Sequence, residues 1–140
     1  MALSVRHDPY PVASPYHGIY AHGVEAPAGA RTLFISGQVG VSPEGHLDPD
    51  FEGQCRQALA NLESVLHAAS MRYRDIVKMS FFLTRPEDME SLVQIRKDVL
   101  DGVRPAITTV FVSGLVSPEW HVEVEATACA AAPNRMLSPI

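Results

Sequence analysis

The sequence predicts a single α+β domain with the element order β-β-α-β-α-β-β. Three observations support this fold class: an apolar stripe at helical spacing in the middle of the chain, a run of β-branched and aromatic residues after it, and Pro/Gly turns between the segments. A chain of 140 residues is long enough to bury one hydrophobic core. We therefore expect one domain over residues 1–140, with an extended N-terminal segment at 1–13 and a C-terminal tail at 131–140.

The first two strands are predicted on either side of a short turn. Pro9, Pro11 and Pro15 make the opening segment extended and irregular, because proline fixes φ and has no N–H to donate. A strand is expected at 17–24 and a second at 31–41, joined by a Pro/Gly turn. This spacing is typical of a hairpin.

The first helix is predicted to run from Pro49 to about residue 69. Asp48 is the expected N-cap, and proline is favoured at the first helical position. One apolar stripe recurs at helical spacing and consists of Phe51, Cys55, Ala58, Leu62, Val65, Leu66 and Ala69.

The second helix is predicted between a capping box at Thr84 and Glu87 and a terminating glycine at Gly102. Its pattern is carried by Met89, Leu92, Val93, Arg96 and Val99. The remaining strands are predicted at 76–83, 107–112 and 121–129.

The last strand indicates that one sheet face is not covered by helices. Val122, Val124 and Ala126 alternate with Glu123 and Glu125. Two helices cover only one face of a sheet, and a face that carries carboxylates cannot join a dry core because unpaired buried charge is costly. We expect this second face to meet other subunits, with its polar groups gathered in wet pockets.

Composition and charge disfavour several classes of function. The formal charge is −5, and the few cations are scattered, so a nucleic-acid partner is not expected. Cys55 and Cys129 are too few and too far apart for a disulfide framework or a zinc site, and the six histidines form no ligand pattern, so no metal is expected. No secretory signal or membrane span is found in the sequence, and we therefore expect a cytoplasmic protein without a membrane partner.

An ordered set of motifs resembles the Rid (YjgF-type) family over about residues 14–130. The motifs are Ser14-Pro15-Tyr16, Ser36-Gly37-Gln38, Gln54 to Leu62, Asp75 to Lys78 followed by Phe82-Leu83-Thr84, Arg104-Pro105-Ala106 and Val122 to Ala126. The resemblance implies a chorismate-mutase-like fold, with a six-stranded mixed sheet and two helices on one face. It also implies a homotrimer with a barrel-like centre and small-metabolite pockets in the clefts between subunits.

The same resemblance implies an activity and a set of site residues. Active relatives hydrolyse reactive enamines and imines to a keto acid and ammonia without a cofactor or metal. The catalytic positions carry over onto Glu123 and Tyr16, and the substrate-binding positions onto Ser36, Gly37 and Thr109. This assignment suits the chemistry, because a carboxylate can orient or deprotonate a water and a phenol can donate a hydrogen bond. The plainer interpretation is a solvated strand face for Glu123 and a half-buried aromatic for Tyr16.

One position departs from the pattern of the active deaminases. They carry an arginine directly after Pro-Ala, where its planar fork binds the substrate carboxylate, and this chain has Ile107 instead. Losing such a pair costs on the order of 2–5 kcal/mol. Arg104 or Arg31 are candidates to replace the cation, and His121, two residues before Glu123, is a candidate extra base.

Three hypotheses about function remain open from the sequence. The first is a hydrolytic enamine/imine deaminase whose substrate does not need the missing arginine. The second is a non-catalytic module that binds a small metabolite, which Ile107 favours. The third is a structural trimer that acts on a partner protein, for which no residue argues directly.

Overall fold

The computed structural model describes residues 4–132 and, within them, every side chain except that of His17. The C-terminal tail predicted at 131–140 therefore lies mostly outside the described residues. The strands are β1 (Val5–His7), β2 (Gly23–Glu25), β3 (Arg31–Val39), β4 (Ile76–Leu83), β5 (Ala106–Phe111) and β6 (Val122–Ala130), and the helices are α1 (Phe51–Ala68) and α2 (Met89–Leu100).

The strands form two sheets instead of the single six-stranded sheet that was expected. The main sheet has four strands in the order β3-β6-β4-β5, in which only β4 and β5 are parallel. β1 and β2 form a separate antiparallel pair. The observed order is therefore β-β-β-α-β-α-β-β, because Val5–His7, inside the segment expected to be irregular, pairs with Gly23–Glu25.

The first predicted strand, at 17–24, is wrong over most of its length. Tyr16–Gly18 is a 3₁₀ turn, and only Gly23–Glu25 forms regular strand, with an isolated bridge from Ala21 to Ala106. The reason is local, since Pro15 holds φ at −55° and Gly18 adopts φ +61°, a left-handed conformation that cannot continue a strand.

Helix α1 buries most of the predicted stripe, whereas Val65 and Ala69 are only partly buried. Its N-terminus differs from the prediction. Asp50 and not Asp48 is the N-cap residue, and its side chain makes no capping hydrogen bond. Asp48 instead accepts a hydrogen bond from the Asp50 backbone N–H at 2.7 Å, a local turn that delays the helix by two residues. Cys55, Ala58, Leu62 and Leu66 are fully buried.

The predicted capping box of the second helix does not form. A 3₁₀ turn at Pro86–Asp88 precedes α2, and Arg85 forms an ion pair with Asp88 at 2.8 Å, without a side-chain cap from Thr84. The end of the helix agrees with the prediction, because Asp101 and Gly102 both have positive φ.

The core lies between the two helices and one face of the main sheet. Phe81, Val124 and Ile35 belong to the same buried cluster as Leu62 and Leu92. The other face is open in the monomer and mixes polar with apolar side chains. Its exposed members are Thr32, Phe34, Lys78, Thr108, Val110 and Glu125.

Candidate functional site

Glu123 lies on the open face of the sheet, as its strand pattern predicts. Val122 and Val124 on either side of it are fully buried against the helices, so alternation turns the Glu123 side chain the other way. On β4 it is paired with Phe82, and on β3 with Val39. The carboxylate is therefore held near the end of the sheet where the β6 strand begins.

A bulge in β3 brings Gly37 directly under this carboxylate. The register between β3 and β6 shifts between Ile35 and Gln38, so Ser36 and Gly37 leave the regular ladder. A Cβ atom on Gly37 would lie 2.0 Å from Glu123 Oε2 and 2.7 Å from its Cδ. Glycine at this position thus leaves the space that the carboxylate occupies.

Glu123 and Glu125 line a cavity of about 490 Å³ on the open face. The other lining residues are Phe82, Val112, Gly114, Leu115 and Val116. Apolar walls with a few polar groups are typical of small-molecule sites. A carboxylate beside such walls can orient one water molecule for attack on a bound carbon.

Tyr16 is not brought to this cavity within one chain. It lies in the 3₁₀ turn, its backbone N–H donates to Tyr20 Oη at 3.2 Å, and 64% of the residue is exposed. It lines a different pocket, against the outer side of α2. Ser36 is exposed beside Gly37, and its carbonyl accepts a hydrogen bond from Gln38 Nε2 at 3.1 Å.

Ile107 and Thr109 lie on the helix-facing side of β5, away from the cavity. Ile107 is half-buried and packs against the hydrophobic core. Thr109 is paired with the buried Phe81 in the parallel ladder. Its Oγ1 accepts a hydrogen bond from Arg96 Nη1 at 3.1 Å.

The two arginines considered as replacements for the missing cation are engaged elsewhere. Arg104 forms an ion pair with Asp8 and donates to the Tyr20 carbonyl at 3.2 and 3.3 Å. The pKa of Asp8 is lowered, first by the backbone N–H of His22 and also by Arg104. Arg31 donates to the Ala69 carbonyl at 3.2 Å.

His121 is fixed through its backbone. Its N–H donates to Gln54 Oε1 at 2.8 Å, and its carbonyl accepts from the Thr84 N–H at 3.4 Å. Its side chain is not among those that line the Glu123 cavity.

The sequence analysis placed Arg96 on the pattern of the second helix but gave it no functional role, and in the structure only 4% of this residue is exposed. A signal was present, because Arg96 follows Leu92 and Val93 at helical spacing and so occupies a position on the apolar stripe. An arginine at a position on the apolar stripe of a helix indicates that its positive charge is buried.

The cysteines and the remaining titratable groups offer little further chemistry. Cys55 and Cys129 are both buried as expected, and burial raises the pKa of the Cys55 thiol to about 12, so it is not a reactive thiolate. Among residues 4–132, no group of three or more His, Cys, Asp or Glu residues is placed to hold a metal ion. No helix in the described part of the chain is long and apolar enough to cross a membrane.

Comparison with known proteins gives consistent matches. The family model described as Endoribonuclease L-PSP matches residues 13–130. The RutC family protein YjgH of Escherichia coli is 32% identical over 77% of this chain and 86% of its own length. The 2-iminobutanoate/2-iminopropanoate deaminase of Mus musculus is 34% identical over 79% of this chain and 81% of its own.

Solved structures agree with these matches. The Rid-family protein YyfB from Yersinia pestis superposes with a TM-score of 0.82 at 29% identity, covering 92% of this chain and all of that one. E. coli TdcF with bound serine gives a TM-score of 0.69 at 28% identity, over 86% of this chain and 91% of that one.

Proposed function

The chain belongs to the YjgF/Rid family, and from this premise we propose that it is a cofactor-independent hydrolase of reactive enamine and imine metabolites. Relatives of this chain are named as deaminases of reactive intermediates and of 2-iminobutanoate and 2-iminopropanoate. The observation that carries the proposal is the Glu123 carboxylate, seated over Gly37 at the wall of the cavity on the open sheet face.

Glu123 acts as the acid and base of the reaction. It accepts a proton from water while the water oxygen bonds to the imine carbon, and the C=N π electrons move to nitrogen. The protonated Glu123 then returns the proton to that nitrogen. Glu123 then takes the remaining proton of the hydroxyl group and passes it to the amino nitrogen as the C–N bond breaks, so ammonia leaves and the C=O bond forms.

The site is completed by a second copy of the chain in a homotrimer. Within one chain Tyr16 lines a pocket beside α2 that shares no residue with the Glu123 cavity, so the phenol is supplied by a neighbouring subunit. The open face supports assembly, because Phe34 is 79% exposed and Val116 is 91% exposed on it. The formal charge of −5 favours a small metabolite over RNA as the ligand.

The substrate class is limited by position 107. Ile107 packs against the core and offers no donor for a carboxylate, which favours imines that bind without such a contact. The same observation favours the second candidate function, a module that binds a small metabolite without turnover. The two functions differ in whether a Glu123 substitution changes a rate or only an affinity.

The deciding experiment compares Glu123→Gln with Glu125→Gln. Glutamine is nearly isosteric, so both variants are expected to fold like the wild type. Glu123→Gln should reduce kcat/KM for imine hydrolysis by about 10²–10⁴, the usual contribution of a positioned acid–base group. Glu125→Gln, the matched control on the same strand face and cavity, should change it less than about threefold.

Imines and enamines are to be generated in place by an amino-acid lyase and followed through keto-acid formation. Equal small effects of the two substitutions would mean that the carboxylates only solvate a surface. Absence of turnover in every form, with altered ligand affinity for Glu123→Gln alone, would establish the binding module instead.

A further inference from the structure

A second cavity lies on the helix side of the molecule, between the end of α2 and the loop after the first 3₁₀ turn. Its volume is about 270 Å³. It is lined by Gly18, Ile19, Arg96, Lys97, Leu100, Gly102, Val103 and Arg104. Three of these residues are cationic, and none of the lining residues carries a carboxylate.

Arg96 is the unusual member of this lining. Only 4% of the residue is exposed, and it forms no ion pair with any carboxylate of the described residues. Its guanidinium carbon lies 5.4 Å from the centre of the Phe81 ring, and Nη1 donates to the neutral hydroxyl of Thr109. Nε has no acceptor among the described residues.

The other two cations differ in how far they are neutralised. Arg104 is paired with Asp8, so its charge is largely compensated. Lys97 is exposed, and no carboxylate of residues 4–132 pairs with it. The nearest acid along the helix, Asp98, is committed to Arg56 at 3.0 Å. The cavity therefore keeps the charge of Arg96 and Lys97 without an internal counter-ion.

Contacts within the chain compensate the buried charge only in part. A cation over an aromatic ring and a position near the C-terminal end of a helix both favour a positive charge. Burial opposes them and lowers the pKa of Arg96. A guanidinium offers five N–H donors in a fork that matches an oxyanion, and here one hydrogen bond to a side chain is formed.

We propose that this cavity binds a small oxyanion, a carboxylate or a phosphate, with Arg96 as its buried anchor and Lys97 at its mouth. The volume lies just below the range for drug-sized ligands, so an inorganic ion or a short-chain carboxylate fits it best. The site shares no lining residue with the Glu123 cavity, and anion binding does not depend on the proposed hydrolysis, although Lys97 also lines the pocket that contains Tyr16.

The test is calorimetric titration of the full chain with inorganic phosphate and, separately, with propionate, against sodium chloride at matched ionic strength. Wild-type protein should bind at least one of the two anions saturably, and the bound anion should raise Tm. The anion that binds identifies the source, phosphate or carboxylate. Absence of saturable binding of both anions to the wild type overturns the proposal.

The variants assign the binding to Arg96. Arg96→Met should reduce the affinity for the anion at least about tenfold, because it removes a desolvated charged donor. Arg56→Met is the matched control, since it removes one arginine charge from an exposed pair outside the cavity, and it should change affinity less than about twofold. Equal weakening by both variants would show an unspecific effect of net charge and would overturn the site.

A second variant covers the case in which Arg96→Met does not fold. Lys97→Met changes only an exposed residue at the mouth, so it should fold and bind the anion more weakly than Arg56→Met does. Unchanged affinity in Lys97→Met, together with an unfolded Arg96→Met, would refute the two-cation site.

Discussion

Replacing Gly37 by alanine tests the seat of the Glu123 carboxylate without touching the carboxylate itself. A methyl carbon at this position would lie 2.0 Å from Oε2, whereas ordinary contacts begin near 3.4 Å. Oε2 must therefore move by at least about 1.4 Å, the difference between these two distances. Gly37 does not have a positive φ, so the strand backbone accepts alanine.

The stability of the Gly37→Ala variant should change little. Loss of unfolded-state freedom on replacing glycine stabilises by about 0.4–1 kcal/mol at a compatible position. Moving Glu123 off its preferred rotamer costs about 0.5–1.5 kcal/mol. The two effects oppose each other, so the free energy of unfolding should stay within about 1 kcal/mol of the wild type and Tm within about 4 °C.

The catalytic effect should be large by comparison. A misplacement on the order of 1 Å costs about 10²-fold in rate for a group that must be aligned with the reacting atoms. The assay is kcat/KM for imine hydrolysis, read through the keto acid, with Tm measured on the same samples. Gly23→Ala is the matched control, because the nearest atoms to its new Cβ would be at 3.9 Å and β2 lies away from the cavity.

Either of two results would refute this reasoning. A Gly37→Ala variant with wild-type kcat/KM, beside an inactive Glu123→Gln, would mean that the glycine does not set the position of the carboxylate. A loss of several kcal/mol of stability in Gly37→Ala but not in Gly23→Ala would mean that the glycine is needed for the backbone.

Three further predictions concern assembly, position 107 and the core. In light scattering the protein should have about three times its 15.2 kDa chain mass, and a monomer at micromolar concentration would remove the shared site. Because Ile107 faces the helix layer, an arginine at this position can act on a substrate at Glu123 only across the proposed subunit contact. There Ile107→Arg should raise kcat/KM for 2-aminoacrylate by about thirtyfold or more while lowering Tm, since Ile107 packs on the core, and Ile107→Met, the uncharged control, should not raise it. Gln54→Leu should lower the free energy of unfolding by about 2–4 kcal/mol in urea titration, because it leaves the His121 N–H and the carbonyls of Asp48 and Glu119 without these hydrogen bonds. Gln57→Leu should cost less than about 1 kcal/mol, since the side chain of Gln57 bonds to one partner among the described residues, the side chain of Asn61.

The elements that follow a strong local pattern were predictable from the sequence. The apolar stripe of α1 and the alternation of Val122, Glu123 and Val124 each lie on one element, so periodicity alone assigns their faces. From the sequence, Gly37 and Glu123 were predicted as two separate pocket residues, and the contact between them was not predicted. Their contact depends on a bulge in the pairing of β3 with β6, which no local pattern encodes.

The predictions that were wrong concern segments whose structure depends on residues distant in the sequence. Val5–His7 becomes a strand through its pairing with Gly23–Glu25, and the segment is held down by the contacts of Asp8 and Arg6 with Arg104. The sequence motif placed Arg104 near the predicted site but did not reveal its ion-pair partner. Arg104 was therefore considered as a free cation. A residue 96 positions away in sequence neutralises it.

Two adjacent residues of β4 show why the proposed hydrolytic cavity and the anion cavity are separable. Phe81 points into the core and lies under the guanidinium of Arg96, whereas Phe82 points to the open face and is paired with Glu123. The sheet therefore separates the guanidinium of Arg96 from the carboxylate of Glu123. Within one chain, Arg96 cannot bind a substrate that Glu123 activates. Positions 96 and 107 both face the helix layer. Arg96 therefore does not supply, in the Glu123 cavity, the cation that is absent at position 107. It follows that Glu123→Gln should leave phosphate or propionate affinity unchanged.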